Sequence, residues 1–350
     1  MRVLVLAAIL LGGASLAAAE DAPAEGTVKS PWLGLPIVSS SPKLGTSGGL
    51  LGAYLHRFDP DSRVSMFGLA AQYSSTGSLV GGAFARISFG ADHHRVLAFG
   101  GGGRVKNDYD DFLSTGVPLK TEDDLWAVVG RYLYRFHGSW FAGAQGSFTN
   151  YAILGDAALD QQVLTVLGLT GFVAGGLGGV LYRDSRDDEN MPVRGWLLNL
   201  NNLAYRDWLG GEDSFDTYRA DLRAFRAHGK GHVLALRQFN QWTVDAPPAA
   251  YAPVTLRGYK FGQYLGQNMS SLEVEERLRL APRWTATVFA GIAALYGGGL
   301  QGSDPENLYP NGGLGLQFVL KPEEKSLAAL EYAKGEGDNE GIYLRLGYAF

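Results

Sequence analysis

Histidines and clustered acids are the residues of this chain that could perform metal or acid–base chemistry. Zinc in proteins binds histidine, of which the chain has six. Calcium binds carboxylates, which occur here in two groups, Asp110–Asp111 and Glu122–Asp124. Most of the histidines stand at predicted turns, and both acidic groups fall in a predicted loop, Asn107–Asp124. Calcium binding in that loop is one alternative, and a solvated surface is the interpretation we favour. We expect no resident metal.

Two glycine-rich runs imitate phosphate-binding loops. They are Phe99–Gly103 and Gly175–Gly179. A phosphate loop of this kind opens a helix, and no helix is predicted after either run. Hydrolysis by Ser, His and Asp would require these residues to converge on one inner face, and the sequence shows no row of this kind. The sequence therefore predicts wall glycines within strands, no cofactor and no enzymatic activity.

A third charged group has a more informative setting. Thr255–Tyr259 contains an Arg-Gly pair inside a long polar connection, Asp245–Gln267. The next segment, Ser271–Leu280, alternates apolar and charged residues, and Ile342–Phe350 at the end of the chain alternates in the same way. Alternation at every second residue is typical of a strand that has one polar face and one apolar face.

The whole chain from Trp32 to Phe350 divides into sixteen such strand-like runs, separated by turn signals. The connections after even-numbered runs are mostly tight, and every very long connection follows an odd-numbered run. Outer-membrane barrels have this asymmetry, with short periplasmic turns and long extracellular loops. Asp184–Arg194 is the exception, because it is long for a periplasmic turn.

Composition agrees with a barrel. The chain has 49 glycines, 17 Phe and 17 Tyr in 350 residues, which suits many strands with small residues on one face and aromatic residues at the rims. The absence of cysteine excludes disulfides and thiolate metal sites. The net charge of −5 argues against a nucleic-acid partner.

The start of the sequence has the features of a secretory signal peptide. Residues 1–19 combine Arg2, a short apolar core and a small-residue cleavage site. We expect residues 20–31 to be a short periplasmic tail and residues 32–350 to be the barrel. The predicted fold is all-β, a sixteen-stranded antiparallel transmembrane β-barrel in the bacterial outer membrane.

Three segments in chain order resemble the BamA/TamA superfamily of outer-membrane barrels, the bacterial surface antigen family. They are the turn motif with Asp184, Arg186, Asp187, Pro192 and Gly195; the sixth-loop motif Leu256, Arg257, Gly258 and Tyr259; and Glu275 with Arg277 on the following strand. The resemblance covers essentially the whole mature chain. It implies that the sixth extracellular loop folds into the lumen and that Arg257 meets Glu275.

One position departs from the family pattern. The family often has a second acid on the next strand, where this chain has Phe289–Ala293 without an Asp. Either Glu273 or Glu331, both predicted to face inward, replaces that acid, or the loop is held less firmly. Gly258 suits a tight loop apex, where a Cβ atom would obstruct the chain.

The two ends of the sequence carry further expectations. Tyr348 and Phe350 resemble the C-terminal signal by which the barrel-assembly machinery recognises its clients. Between Ala19 and Trp32 there is no room for a periplasmic POTRA domain, so we expect a single-barrel member.

The resemblance implies assistance to the insertion or translocation of protein, or of lipid, through a seam between the first and last strands. Pro36 in the first strand is typical of a sheet edge, because proline cannot donate a ladder hydrogen bond. The expected partners are outer-membrane lipid, the assembly machinery and outer-membrane protein substrates. The alternatives are a passive pore and a membrane anchor for a separate periplasmic partner.

Overall fold

The structure, a computed structural model, describes residues 31–110, 112–114, 118–189, 191–298, 307–321 and 326–346. The predicted signal peptide, most of the predicted tail, and Asp111, Tyr348 and Phe350 lie outside these residues. Within the described ranges, no helix is both long enough and apolar enough to cross a membrane.

The main element of the described residues is one antiparallel sheet of sixteen strands, hydrogen-bonded in chain order, which confirms the predicted fold class and strand number. Its strands are β1 (Trp32–Ser41), β2 (Gly45–His56), β3 (Ser65–Ser74), β4 (Leu79–Phe89), β5 (His94–Tyr109), β6 (Leu119–His137), β7 (Trp140–Gly155), β8 (Gly171–Asp184), β9 (Arg194–Tyr205), β10 (Phe215–His228), β11 (His232–Val244), β14 (Asn268–Ala281), β15 (Trp284–Tyr296), β16 (Leu308–Lys321), β17 (Ser326–Lys334) and β18 (Glu340–Leu346). Outside this sheet, β12 (Ala252–Pro253) pairs with β13 (Leu265–Gly266). Helix α1 (Ala158–Val166) lies between β7 and β8.

The two edges of the sheet meet, so that the sheet forms a nearly closed barrel. β1 and β18 lie side by side. In the part of the chain that the structure describes, no hydrogen-bonded ladder joins these two strands, whereas each is laddered to its other neighbour. The barrel therefore has one seam, between its first and last strands.

Alternation along each strand separates an inner face from an outer face. On β14, Leu272 and Val274 are 42% and 38% exposed, whereas Glu273 and Glu275 between and beside them are 7% and 1% exposed. The outer face carries exposed aliphatic side chains on many strands: Leu50, Leu69, Val128, Leu177, Val288, Leu314 and Leu330. Exposed aromatic side chains, among them Tyr73, Phe136 and Trp284, stand at strand ends. An outer face with an apolar belt between two rings of aromatic side chains is typical of a barrel surrounded by lipid.

The connections differ between the two ends of the barrel. At one end, the short-turn end, the connections include residues 57–64, 90–93, 138–139, 185–193, 229–231 and 282–283. At the other, the long-loop end, the longest connections are residues 156–170, 245–267 and 297–307. Because outer-membrane barrels have short periplasmic turns and longer extracellular loops, we expect the short-turn end to face the periplasm.

The prediction of a loop over Asn107–Asp124 is wrong at both of its ends. β5 continues to Tyr109, and β6 begins at Leu119. Asp123 is buried on the inner face of β6, where its carboxylate lies 3.1 Å from the Nζ atom of Lys43. Three successive acids hide the alternation of this strand in the sequence, and only the middle one points inward. Asp123 is therefore not a solvated loop residue.

The glycine runs lie within strands, as predicted. Phe99–Gly103 belongs to β5 and Gly175–Gly179 belongs to β8. Within the described residues, no group of three or more His, Cys, Asp and Glu side chains is arranged to hold a metal ion.

Candidate functional site

The sixth loop, residues 245–267, is folded against the inner wall of the barrel at the long-loop end. The short β12–β13 ladder joins Ala252 to Gly266 and Pro253 to Leu265, which fixes the base of the loop. Beyond this ladder, the loop buries Val254, Leu256, Tyr259 and Tyr264 in one apolar cluster with Met269, Leu295 and Tyr309 of the wall. The cluster fixes the segment that carries Arg257.

Arg257 reaches three inward-facing glutamates. Its Nη2 and Nε atoms donate to the two carboxylate oxygens of Glu273 at 2.7 and 3.3 Å. Its Nη1 atom lies 2.8 Å from Oε2 of Glu275 and 3.3 Å from Oε2 of Glu331. The structure thus brings Arg257 together with Glu275, the pair that the resemblance implies, and also with both of the alternative acids.

Three arginines face these three glutamates. Besides Arg257, Nε of Arg277 donates to Glu275 at 3.0 Å, and Nη1 of Arg345 lies 3.3 Å from Glu331. Burial by itself would lower the pKa of Arg257, but the charges of Glu273, Glu275 and Glu331 together hold that pKa above its usual value. Arg257 therefore stays charged. A buried pair of this kind is stable only while every member keeps its partner.

Phe289 and Asn311 complete the surroundings of the guanidinium group. The group lies over the ring of Phe289, 3.4 Å from its centroid. The Nδ2 atom of Asn311 donates both to the carbonyl oxygen of Arg257 at 2.9 Å and to Glu273 at 3.1 Å. The strand that lacks the family's second acid therefore contacts Arg257 through an aromatic face, and β14 and β17 supply the carboxylates.

Gly258 adopts a conformation that few other residues tolerate. Its φ angle is +98°, and a Cβ atom there would lie 2.9 Å from the backbone nitrogen of Gly335. Its own amide donates to the hydroxyl of Tyr343 on β18 at 2.7 Å. The loop apex is therefore in direct contact with the last strand and with the residue that follows β17.

Tyr259 holds the other side of the apex. Its hydroxyl donates to the carbonyl of Pro310 at 2.6 Å and accepts the amide of Glu336 at 3.0 Å. Burial raises the pKa of Tyr259 to about 12, so the hydroxyl remains protonated and able to donate at neutral pH.

Three solved structures share this architecture. BamA from Haemophilus ducreyi lacking POTRA domains 1–3 superposes with a TM-score of 0.63 at 12% sequence identity, over 91% of this chain and 70% of that one. The chain has the BamA-type barrel fold. CdiB from Acinetobacter baumannii (TM-score 0.61, 12% identity) and CdiB from Escherichia coli (0.62, 12%) match over 91% and 93% of this chain, which spans 59% and 64% of theirs. No family model and no curated protein matches by sequence.

The BamA-type fold and the apolar outer belt together identify the chain as an outer-membrane protein. At an identity of 12%, the likeness is one of fold. What the inner wall does must be argued from the residues of this chain.

The 185–193 turn at the short-turn end is built by the predicted turn motif. Asp184 accepts Nε and Nη2 of Arg186, each at 2.9 Å. Oδ1 of Asp187 accepts the amides of Val193 and Arg194 at 3.0 and 3.1 Å, which closes the turn. Two aspartates thus neutralise an arginine and satisfy backbone donors within one connection.

Gly195 and Pro192 link the same turn to the wall. A Cβ atom at Gly195 would lie 2.2 Å from the carbonyl oxygen of Ser185, so only glycine allows this approach. The carbonyl of Pro192 accepts Nη1 of Arg277 at 3.1 Å. The turn therefore enters the lumen and reaches the strand that also holds the sixth loop.

A cavity of about 210 Å³ lies beside the seam of the BamA-type barrel. Its wall is formed by the β1–β2 turn, the sixth loop and β18, which contribute Pro42, Lys43, Leu256, Phe261, Tyr343 and Arg345. The Nζ atom of Lys43 donates to the carbonyl of Phe261 at 3.4 Å. The sixth loop thus contacts β18 and the turn that follows β1.

Several of these residues were not indicated by the sequence motifs. Phe289, Asn311, Tyr343 and Lys43 contact the sixth loop from β15, β16, β18 and the β1–β2 turn. For Tyr343 the signal was its inward position in the alternation of the last strand. For Lys43, in a turn outside any strand pattern, the sequence had no signal.

Proposed function

We propose that this protein assists the insertion or translocation of protein, or of lipid, at the outer membrane through the seam between β1 and β18. The observation that carries the proposal is the seam: two neighbouring strands without a ladder, within the described residues of an otherwise continuous sheet. An unpaired strand edge presents backbone N–H and C=O groups in a row. Such an edge can pair with an incoming strand by β-augmentation.

The sixth loop is the element that would control this seam. Arg257 contacts Glu331 on β17, and Gly258 contacts Tyr343 on β18. The same loop reaches the β1 side through the contact between Phe261 and Lys43. While the sixth loop is bound in this way, it favours one relative position of β1 and β18. Release of the loop would allow the two strands to separate.

The partners follow from this mechanism. The lipid bilayer surrounds the outer belt, and outer-membrane protein chains are the substrates whose edge strands the seam would accept. A passive pore and an anchor for a separate periplasmic partner are the alternatives to be excluded. A seated sixth loop argues against the pore, because it occupies part of the lumen.

The test is the folding rate of an unrelated outer-membrane barrel into liposomes with and without this protein. We expect acceleration by the native chain and loss of the acceleration in Arg257→Ala. Single-channel recording on the same preparation distinguishes the pore: a plugged barrel gives small, fluctuating currents, and a pore gives large, steady ones. No acceleration by a demonstrably folded barrel would reject the proposal.

A further inference from the structure

A second cavity, of about 200 Å³, lies on the inner side of the barrel wall, near the short-turn end. Four arginines line it, Arg63, Arg86, Arg95 and Arg131, together with Tyr182 and one carboxylate, Glu189. These arginines come from the 57–64 connection and from β4, β5 and β6. Four guanidinium groups around one small space are costly unless anions compensate for them.

Two carboxylates among the described residues contact this group. Asp92 binds Arg95 through two contacts, with Nε–Oδ1 at 2.9 Å and Nη2–Oδ2 at 2.6 Å, and lies 3.5 Å from Arg63. Glu189 contacts Arg63 and accepts Nη2 of Arg86 at 2.7 Å. These two carboxylates contact three of the four lining arginines, Arg63, Arg86 and Arg95.

Arg131 is the fourth arginine that lines the cavity. Its Nε and Nη2 atoms both donate to Oε1 of Gln145, at 3.1 and 2.6 Å. The amide nitrogen of Gln145 is engaged by Asn201 and Asn202, at 3.1 and 2.9 Å, so the oxygen is held toward Arg131. No carboxylate pairs with Arg131 among the described residues. A neutral amide thus positions the guanidinium group without cancelling its charge.

Glu189 differs from the other lining residues in its origin. It belongs to the 185–193 turn, whereas Arg86, Arg95 and Arg131 belong to strands β4, β5 and β6. Its side chain is 21% exposed, and the side chains of Arg63 and Arg86 are 28% and 31% exposed. A carboxylate on a connection can leave and return, which a strand residue cannot do without disturbing the barrel.

We propose that this cavity is a binding site for an oxyanion, a phosphate or a carboxylate, and that Glu189 is its intramolecular competitor. The guanidinium groups of Arg63, Arg86 and Arg131 offer the planar, charge-assisted donors that such groups bind best. An anion that enters from the short-turn end displaces the carboxylate of Glu189 from Arg63 and Arg86. This inference is independent of the proposed insertion activity.

Calorimetric titration of the folded barrel in detergent tests the site, with inorganic phosphate in one series and succinate in another, at constant ionic strength. Glu189→Gln removes the competing charge and should bind the preferred anion about tenfold tighter than the native chain. Arg131→Gln should bind it about tenfold more weakly. The tighter of the two probes identifies the class of oxyanion.

Matched controls keep the result specific. Glu276→Gln and Arg104→Gln make the same changes at positions away from the cavity, and they should leave the titration unchanged. Arg86→Gln is a second variant with a more exposed side chain, for the case in which Arg131→Gln does not fold by circular dichroism. Absence of saturable binding of either anion, or binding equal in Glu189→Gln, Arg86→Gln and the native chain, would overturn the proposal.

Discussion

Glu275 accepts a hydrogen bond on each carboxylate oxygen, from Arg257 of the sixth loop on one and from Arg277 of its own strand on the other. Arg277 in turn donates to the carbonyl of Pro192 in the 185–193 turn. Two connections that enter the barrel from opposite ends are therefore joined through one carboxylate and one guanidinium group. Glu275 is 1% exposed, so this link is shielded from solvent and from salt.

Removal of the loop arginine should release the sixth loop. Arg257→Ala leaves three buried glutamates facing two arginines, and breaking a buried ion pair in this way costs about 3–5 kcal/mol. We expect trypsin to cleave after Lys260 on the order of a hundredfold faster than in the native chain. The cleavage rate of Arg257→Lys should lie between those of Arg257→Ala and the native chain. Lysine keeps the positive charge but cannot donate the two parallel hydrogen bonds that Arg257 makes to Glu273.

Lys230, in the exposed 229–231 turn at the opposite end, is the internal standard for that experiment. Its cleavage rate should not change in either variant, since Lys230 lies at the other end of the barrel. Equal cleavage after Lys260 in Arg257→Ala and the native chain would show that the glutamate contacts do not hold the loop.

The conformation of the loop apex predicts a glycine-specific effect. Gly258→Ala combines a positive φ angle with a Cβ atom placed against the backbone of Gly335 and Lys334. Gly337→Ala has a φ of +59° but no atom within 4 Å of the new Cβ, so it reports the conformational cost alone. We expect Gly258→Ala to reduce the free energy of unfolding by about 2 kcal/mol more than Gly337→Ala. If urea titrations give the same loss of unfolding free energy for Gly258→Ala and Gly337→Ala, the loop apex is not tightly packed against Gly335 and Lys334.

The link between the two connections can be tested at Arg277. Arg277→Met keeps the side-chain volume but leaves the carbonyl of Pro192 without its charged donor, and hydrogen bonds of that kind contribute about 1.5–3 kcal/mol. Hydrogen exchange in residues 185–193 should accelerate roughly tenfold or more. Arg237→Met, on the same inner wall but paired with Asp221, is the matched control. Unchanged exchange in Arg277→Met would mean that the turn holds itself in place.

Period-two patterns in the sequence predicted the barrel well. The alternation in Ser271–Leu280 correctly separated a charged inner face from an apolar outer face, because side chains on a strand point to opposite faces in turn. Strand ends were less predictable. β16 begins at Leu308, although Pro310 interrupts the strand pattern there, because Tyr309 and Asn311 supply an inward face.

Contacts between distant segments set the limit of prediction for the candidate site. Arg257 and Glu275 could be paired because both belong to sequence motifs. The cavity around Glu189 could not be anticipated, because its arginines lie on three strands and a connection whose relative positions depend on closure of the barrel. Helix α1 was missed for a local reason: with nine residues and Leu164 as its buried residue, it has no marked helical periodicity.

The central claim is that the seam opens, and a disulfide across it is the most direct test. The chain has no cysteine, and a Cβ atom at Gly341 would lie 2.3 Å from Cγ of Pro42 in the β1–β2 turn, so Pro42→Cys with Gly341→Cys places two thiols together. The control is Leu330→Cys with Leu344→Cys, an opposed pair within the β17–β18 ladder.

The measurement is the acceleration of client folding into liposomes by each oxidised and reduced barrel. We predict that oxidation of the seam pair abolishes the acceleration, that reduction restores it, and that oxidation of the control pair has no effect. Undiminished acceleration by a completely cross-linked seam would contradict the account.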